Sequence, residues 1–434
     1  MPLHTSAVSL VEVPDIIKII SHDTSPPLWN IFEWFVFNTL GTSEIYIRGL
    51  AFFFFLITVF FTYKIGSFLW GRNTGILAAL LTALNPFFFT YAFEGRMYSI
   101  MSAGVAGSMY FFIRLMHTQK RVSKRHLLGY ILMTLWAIYS HHFAMFTLAI
   151  QGLWFLYFLI RRQKNALGMF IGFACVGLGY LPWLQPLYGQ LMMVKGGFWL
   201  GKPNLVDLIA LILEYLAFGI KHYLAFPALV FVSIALLFRR WRRDVKYSLF
   251  LATWFLGPIL LAFIVSLVFQ SVFFNRYLLY TIPAAMLLVA SNARRFGVVI
   301  ISLALVLFAI IDITYFTHPT KLPFPTLAKY LQSSQMPGDF LINWNSNGTH
   351  HLWETKYYGL DAPIYIEGQG ELPYFIGTAL MEKSDLVQKI PNDTKRVGVV
   401  TTGAVEEIKI PGYTESVLKN FDGLKFVWFT PSTK

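Results

Sequence analysis

The chain has 434 residues, of which 56% are hydrophobic and only 13% are charged, with a mean hydropathy of +0.57. A soluble domain carries about 25% charged residues, so a wholly water-exposed fold is excluded. The net charge of +13 does not mark a nucleic-acid binder: residues 1–316 hold 24 Lys/Arg against 10 Asp/Glu, while 317–434 hold 11 against 12, and no soluble part carries the basic face that such binding needs.

Taken in chain order, Pro14-Asp15 opens a short helix, Ile16–Ile20, because proline is tolerated in a first helical turn. The string His22-Asp23-Thr24-Ser25-Pro26-Pro27-Leu28-Trp29 follows. Its two prolines enforce an extended entry and then permit a helix start. Asp23 and Ser25 stand where helix caps stand, which gives one reading of the string, a cap and a turn. The other reading is an acid held beside a membrane mouth, suited to proton transfer or metal contact.

A bilayer-crossing helix needs about 20 apolar residues. Candidates lie at 51–70, 76–93, 97–116, 127–141, 143–160, 167–186, 222–238, 247–272, 277–292 and 297–316. The segment 205–219 is apolar but contains Asp207 and Glu214, and reads as a helix lying at the interface or re-entering the membrane. The single cysteine, Cys175, sits in an apolar run and reads as a small core side chain. The expected fold is mainly α: a polytopic bundle of about ten spans over 51–316, preceded by a first loop at 1–50. A small α/β domain follows at 317–434.

In that last domain a helix is predicted over Thr326–Ser334 and strands at Phe340–Ile342, Ile364–Ile366, Val397–Val400 and Phe426–Trp428. Further helical pattern is read at Ala379–Lys389 and Thr414–Asn420. There is no glycine-rich phosphate loop and no nucleophile elbow.

Positive charge in short loops sets orientation. The basic loops are Lys120-Arg121 with Lys124-Arg125, Arg161-Arg162-Lys164, Arg239-Arg240-Trp241-Arg242-Arg243 and Arg294-Arg295. With the spans above, all four fall on one face, which is then cytoplasmic. The first loop, the turn Glu94-Gly95-Arg96, the pair His141-His142, the turn Asn275-Arg276-Tyr277 and the C-terminal domain are expected outside, on a multi-pass inner-membrane protein. Ten spans also put the N-terminus outside without a signal peptide in residues 1–15, so an earlier span is expected to be missing from this sequence.

Each outer motif has two readings. Glu94 and Arg96 pair with each other on a glycine turn, or Arg96 meets a lipid phosphate while Glu94 orients it. His141 and His142 are interfacial or core histidines, since adjacent residues do not share a helical face for metal binding, or they line the site. Arg276 snorkels to the interface, or contacts an anion. Together they place carboxylates, arginines, histidines and aromatics round one vestibule, and such clustering at a membrane face suggests a site.

Asp23–Leu28, followed by Gly41-Thr42-Ser43-Glu44 and Arg48, resembles the first-loop region of polyprenyl-phosphate-sugar-dependent glycosyltransferases of the GT-C fold, which include protein O-mannosyltransferases and the aminoarabinose transferases of lipid A. Asn85-Pro86-Phe87 through Glu94-Gly95-Arg96-Met97-Tyr98 resembles their proline-then-E-x-R-x-Y element. His141-His142, Leu181-Pro182-Trp183-Leu184 and Arg276-Tyr277-Leu278 resemble later features in the same order. The resemblance covers roughly residues 10–300, and the C-terminal domain fits the soluble outer appendage of such proteins.

What the resemblance implies is an inverting transfer of sugar from a polyprenyl-phosphate donor to a protein, lipid or glycan acceptor. An outer-loop acid takes the acceptor's proton and arginines stabilise the departing phosphate. Asp23 and Glu94 are the acids expected in the site, Asp23 as donor or acceptor contact ahead of catalytic base. His22, Pro26, Pro27, Arg96, Tyr98, His141, His142, Arg276 and Tyr277 are the expected substrate contacts. No cofactor is required, and the ligand set leaves room for a divalent metal without demanding one. One departure stands out: the acidic motif that such proteins carry ahead of the proline motif is missing, and Glu12 and Asp15 do not match it. The alternatives are a lipid-linked-sugar flippase or transporter, and an inactive, N-terminally short homologue.

Overall fold

A computed structural model describes residues 9–117, 122–218, 245–318, 321–346, 348–366 and 381–432, with a few positions between 227 and 236. It divides into two compact units, Ser9–His318 and, from Pro319 to Lys434, the C-terminal domain.

The first unit is helical. It runs α1 (Val13–Ile20), α2 (Leu28–Thr39), α3 (Glu44–Trp70), α4 (Arg72–Ala83), α5 (Pro86–Thr90), α6 (Tyr98–His117), α7 (Lys124–Ser140), α8 (Ala144–Ile160), α9 (Ala166–Tyr180), α10 (Leu184–Lys195), α11 (Leu205–Ala217), α12 (Val245–Val268), α13 (Asn275–Leu278), α14 (Ile282–Ser291) and α15 (Ala293–Thr317). Among the described residues, five helical stretches are long and apolar enough to cross a bilayer: Glu44–Trp70, Tyr98–His117, Ala166–Lys195, Lys246–Val268 and Phe296–Thr317. Phe53, Leu56 and Phe60 on α3 and Leu153, Leu156 and Ile160 on α8 are exposed. Such apolar surface is what a lipid-facing helix presents. The protein is an integral membrane protein. The span read at 222–238 and the basic run at 239–243 lie mostly or wholly outside the described residues.

The apolar run 76–93 is not one helix. Pro86 cannot donate a backbone hydrogen bond, so α4 stops at Ala83, and Asn85 starts α5 by accepting from the Phe88 N–H at 2.9 Å. The run 277–292 likewise begins as two short turns before Ile282–Ser291. Both interruptions lie beside the candidate site.

At the centre stands α6, buried along most of its length. A Cβ at Gly104 would meet the backbone of Ala137 at 2.7 Å, so the bare glycine is what lets α6 and α7 touch. The Trp136 indole N–H donates to the Ile100 carbonyl at 3.1 Å across the same contact. Gly104→Ala is therefore expected to lower the thermal unfolding midpoint of the purified protein, at a cost of about 1–3 kcal/mol for overpacking. An unchanged midpoint would contradict this packing.

The C-terminal domain begins with α16 (Phe324–Ser334) and contains α17 (Leu352–Tyr357). Its strands are β1 (Asp339–Trp344), β2 (Ile364–Tyr365), β3 (Leu386–Val387), β4 (Arg396–Thr401), β5 (Tyr413–Phe421) and β6 (Leu424–Pro431). They form a mixed sheet in the order β3-β2-β1-β4-β6-β5. β1 to β4 pair in parallel and β4-β6-β5 antiparallel. Phe324, Leu327 and Leu331 of α16 cover one face against Leu341, Val400 and Phe426.

Two expected helices are corrected here. Thr414–Asn420 lies within strand β5, which is exposed along its length and pairs with β6 through a turn at Asp422-Gly423. Both turn residues have positive φ, 45° and 93°, the requirement of a tight hairpin. The described part of Ala379–Lys389 holds only a single turn at Lys383–Asp385, capped by Glu382, and then strand β3.

Candidate active site

The site assembles from four connecting segments of the first unit. The first is the loop 21–27. Gln190 on α10 fixes it, its amide N–H donating to the carbonyls of Ile20 at 3.0 Å and Ser25 at 3.4 Å. With the amide nitrogen so engaged, the Gln190 oxygen is an acceptor. The His142 Nε2, 2.7 Å away, must then carry the ring proton. Neither Asp23 nor Ser25 caps α2. Pro27 occupies that position with no side-chain cap, and the Asp23 carboxylate bonds to the backbone and side chain of Thr24 instead. Pro26 and Pro27, at the end of the loop, are buried. His22 is exposed and turns back to the Lys18 carbonyl at 3.0 Å, at the end of α1, apart from the cluster below.

The second segment is the turn 91–97. Gly95 has φ of 66°, a conformation that glycine adopts without strain. It turns the chain so that Arg96 lies 5.4 Å from the centre of the Tyr98 ring. Glu94 and Arg96 form no ion pair with each other; the Glu94 charge acts on Arg96 from a distance. The third segment is Asn275-Arg276-Tyr277. Arg276 lies 5.8 Å from the same Tyr98 ring and 4.8 Å from that of Phe274. Two guanidinium groups thus share one aromatic ring.

The fourth segment is the turn between α7 and α8. The His141 ring packs 5.2 Å from Tyr277 and 6.1 Å from Tyr98, and Tyr277 also packs 4.9 Å from Phe143. The Phe143 N–H donates to His141 Nδ1 at 3.2 Å, so that nitrogen is unprotonated. Burial, with His142, Arg96 and Arg276 nearby, pushes His141 down to about 3. Burial pushes His142 down to about 4 against the opposing hydrogen bond to Gln190. Both rings are neutral at physiological pH.

The electrostatics converge. Burial pushes the Asp23 carboxyl above its ordinary 3.8, opposed by the Thr24 hydrogen bonds and by the Arg96 charge. Tyr91 feels the charges of Glu94, Arg276 and Glu214 together. The Nε atoms of Arg96 and Arg276 and the Tyr98 hydroxyl are buried without a hydrogen-bond partner. A buried unpaired donor is costly, and these three gather round one ring, where an anion could accept from them. Among the described residues, no three His, Cys, Asp or Glu side chains gather closely enough to hold a metal ion.

The structure therefore brings Asp23, Glu94, Arg96, Tyr98, His141, Arg276 and Tyr277 into one neighbourhood. His142 acts beneath it through Gln190. Sequence reasoning missed Gln190. Asn85, Glu214 and Asn275 were named there only as members of the proline element, an apolar helix and the arginine turn, with no role of their own. Gln190→Ala is expected to release loop 21–27, removing the side-chain donor to the Ile20 and Ser25 carbonyls and the partner of His142 Nε2. The thermal midpoint should fall, with a cost of about 1–3 kcal/mol, and limited proteolysis should cut the loop faster. An unaltered cleavage rate would show that the loop is held otherwise.

A helical membrane unit followed in the chain by a small mixed-sheet domain has a GT-C fold of the ArnT kind. In the crystal structure of ArnT from Cupriavidus metallidurans in the apo state, the match has a TM-score of 0.69 at 12% identity, covering 99% of this chain and 92% of that one. The same protein bound to undecaprenyl phosphate matches with a TM-score of 0.62 at 14% identity, covering 94% and 88%. Residues 24–185 match the family model described as dolichyl-phosphate-mannose-protein mannosyltransferase, a span that contains Glu94, Arg96, Tyr98, His141 and His142. No curated protein sequence gives a match.

Proposed function

We propose that this protein is a membrane glycosyltransferase that moves a sugar from a polyprenyl-phosphate donor to an acceptor hydroxyl on the extracytoplasmic face, with inversion. The observation that carries the reading is the set of buried, unpartnered donors on Arg96, Arg276 and Tyr98, set beside the Asp23 carboxyl. The likeness to a protein crystallised with undecaprenyl phosphate supports it, and so does the mannosyltransferase family match. The charge asymmetry of the loops supports the outward placement of the site.

The chemistry is a single displacement. The acceptor oxygen attacks the anomeric carbon as its proton passes to Asp23. The bond from that carbon to the phosphate oxygen breaks, and polyprenyl phosphate leaves. Negative charge grows on the phosphate, where Arg96, Arg276 and the Tyr98 hydroxyl can donate to it; fixed donors at the site of developing charge are the largest catalytic contribution in such reactions. Asp23 suits the proton-accepting role because its raised pKa makes it a better base than an exposed carboxylate.

The test is to incubate the purified protein with a polyprenyl-phosphate sugar labelled in the sugar, together with envelope extract as acceptor. Appearance of label in acceptor with release of polyprenyl phosphate is expected. Movement of the labelled lipid across vesicles with no transfer would overturn the reading in favour of a flippase.

A further inference from the structure

Helix α11 ties together the two chain segments that carry the arginines. Its Glu214 accepts a hydrogen bond from the Asn275 side-chain N–H at 3.0 Å. The next residue, Tyr215, is fully buried, and its hydroxyl donates to the Asn275 carbonyl. The Asn275 side-chain oxygen in turn accepts from the Arg276 N–H at 2.8 Å. In the other direction, the Tyr215 carbonyl accepts from the Asn85 side chain at 2.8 Å. Asn85 is the residue that starts α5 and leads into the turn bearing Arg96. The Tyr215 ring packs 5.0 Å from Phe87 on the same segment.

The two acids of this helix have separate uses. Asp207 closes a capping box with Asn204 at the helix start, a local role. Glu214 lies two turns further on and reaches another segment altogether.

We propose that Glu214 is a positioning residue: by fixing the Asn275 side chain it aims Arg276 at the anion site, while Tyr215 anchors the Arg96 segment to the same helix, so that α11 sets the spacing of the two arginines. The proposal rests on the reading of that site as a phosphate site. Its physical basis is that donors stabilise a phosphate only when held in place beforehand, and that their supporting hydrogen bonds do the holding. Asn275 has both its amide nitrogen and its amide oxygen engaged, so the loss of one partner lets the side chain rotate and release the backbone it braces.

The test uses the full chain in nanodiscs, titrated with undecaprenyl phosphate. Glu214→Ala and Asn275→Ala are each expected to weaken binding by about tenfold, and their combination little more, as for residues acting as one unit. Glu214→Gln keeps an acceptor oxygen for Asn275 and should restore most of the affinity. In an Arg276→Ala background, Glu214→Ala should have no further effect. The proposal is overturned if Glu214→Ala binds as the parent does. It is also overturned if Glu214→Gln loses as much as alanine, or if the loss is equally large with Arg276 absent. Arg276→Ala binding the lipid normally would be a different failure, that of the phosphate reading on which the proposal stands. Should Glu214→Ala not fold, Asn275→Ala with and without Arg276 makes the same comparison.

Discussion

Arg96→Ala is expected to lower sugar transfer by at least about 100-fold, the scale on which a fixed donor to developing negative charge matters. Arg96 lies on a turn that Gly95 shapes, 5.4 Å from the Tyr98 ring, with its Nε buried and unpaired. An anion would supply the missing acceptor. Arg96→Lys retains the charge but loses the planar fork, so it should fall between the parent and alanine. The measurement is the steady-state rate with a polyprenyl-phosphate sugar at saturating acceptor. A drop of less than about threefold for Arg96→Ala would mean that phosphate charge develops elsewhere, since removal of a true oxyanion donor costs far more.

The second large effect concerns Asp23 and pH. Asp23→Asn should cost about 10²–10⁴ in rate, the usual contribution of a general base. A base acts only when ionised, and burial raises the Asp23 pKa above 3.8. Activity should therefore fall as pH drops through a limb displaced upward from the ordinary 3.8. Arg96 holds that pKa down, so the residual activity of Arg96→Gln should show its acid limb at higher pH than the parent. Histidine should contribute no limb near its ordinary pKa of 6.5, because His141 and His142 are pushed down to about 3 and about 4. An acid limb that survives in Asp23→Asn would assign the proton transfer to another group.

The long helices were legible because lipid-facing surface forces a continuous apolar run. Nothing but hydropathy is needed to find Glu44–Trp70 or Phe296–Thr317. The breaks inside 76–93 and 277–292 were less so. Hydropathy does not register that Pro86 ends a helical ladder, and it is the broken ends that lie beside the candidate site.

Arg96 and Arg276 could be singled out from sequence as charges at span ends. Arg96 stands two residues before Tyr98, but that Arg276 meets the same ring could not be read, because it depends on how the start of α6 packs against a distant segment. Glu214 shows the limit most plainly. Its charge was visible in an apolar stretch, read as a helix lying at the interface or re-entering the membrane. Its partner is 61 residues away, beyond any local pattern. In the C-terminal domain, the polar run Thr414–Asn420 read as helix because edge-strand residues are solvated on both faces and lose the alternation that marks a strand. The Asp422-Gly423 pair that follows was the stronger cue.

The claim at the centre of this account is that Arg96, Arg276 and Tyr98 complete their hydrogen bonding on a lipid phosphate. A structure of the protein with undecaprenyl phosphate tests it most directly. The phosphate oxygens should sit about 2.7–2.9 Å from nitrogens of both arginines, the distance of charge-assisted hydrogen bonds, with the Tyr98 hydroxyl donating to the same group. A phosphate bound elsewhere, with the two guanidinium groups still unpaired, would contradict it.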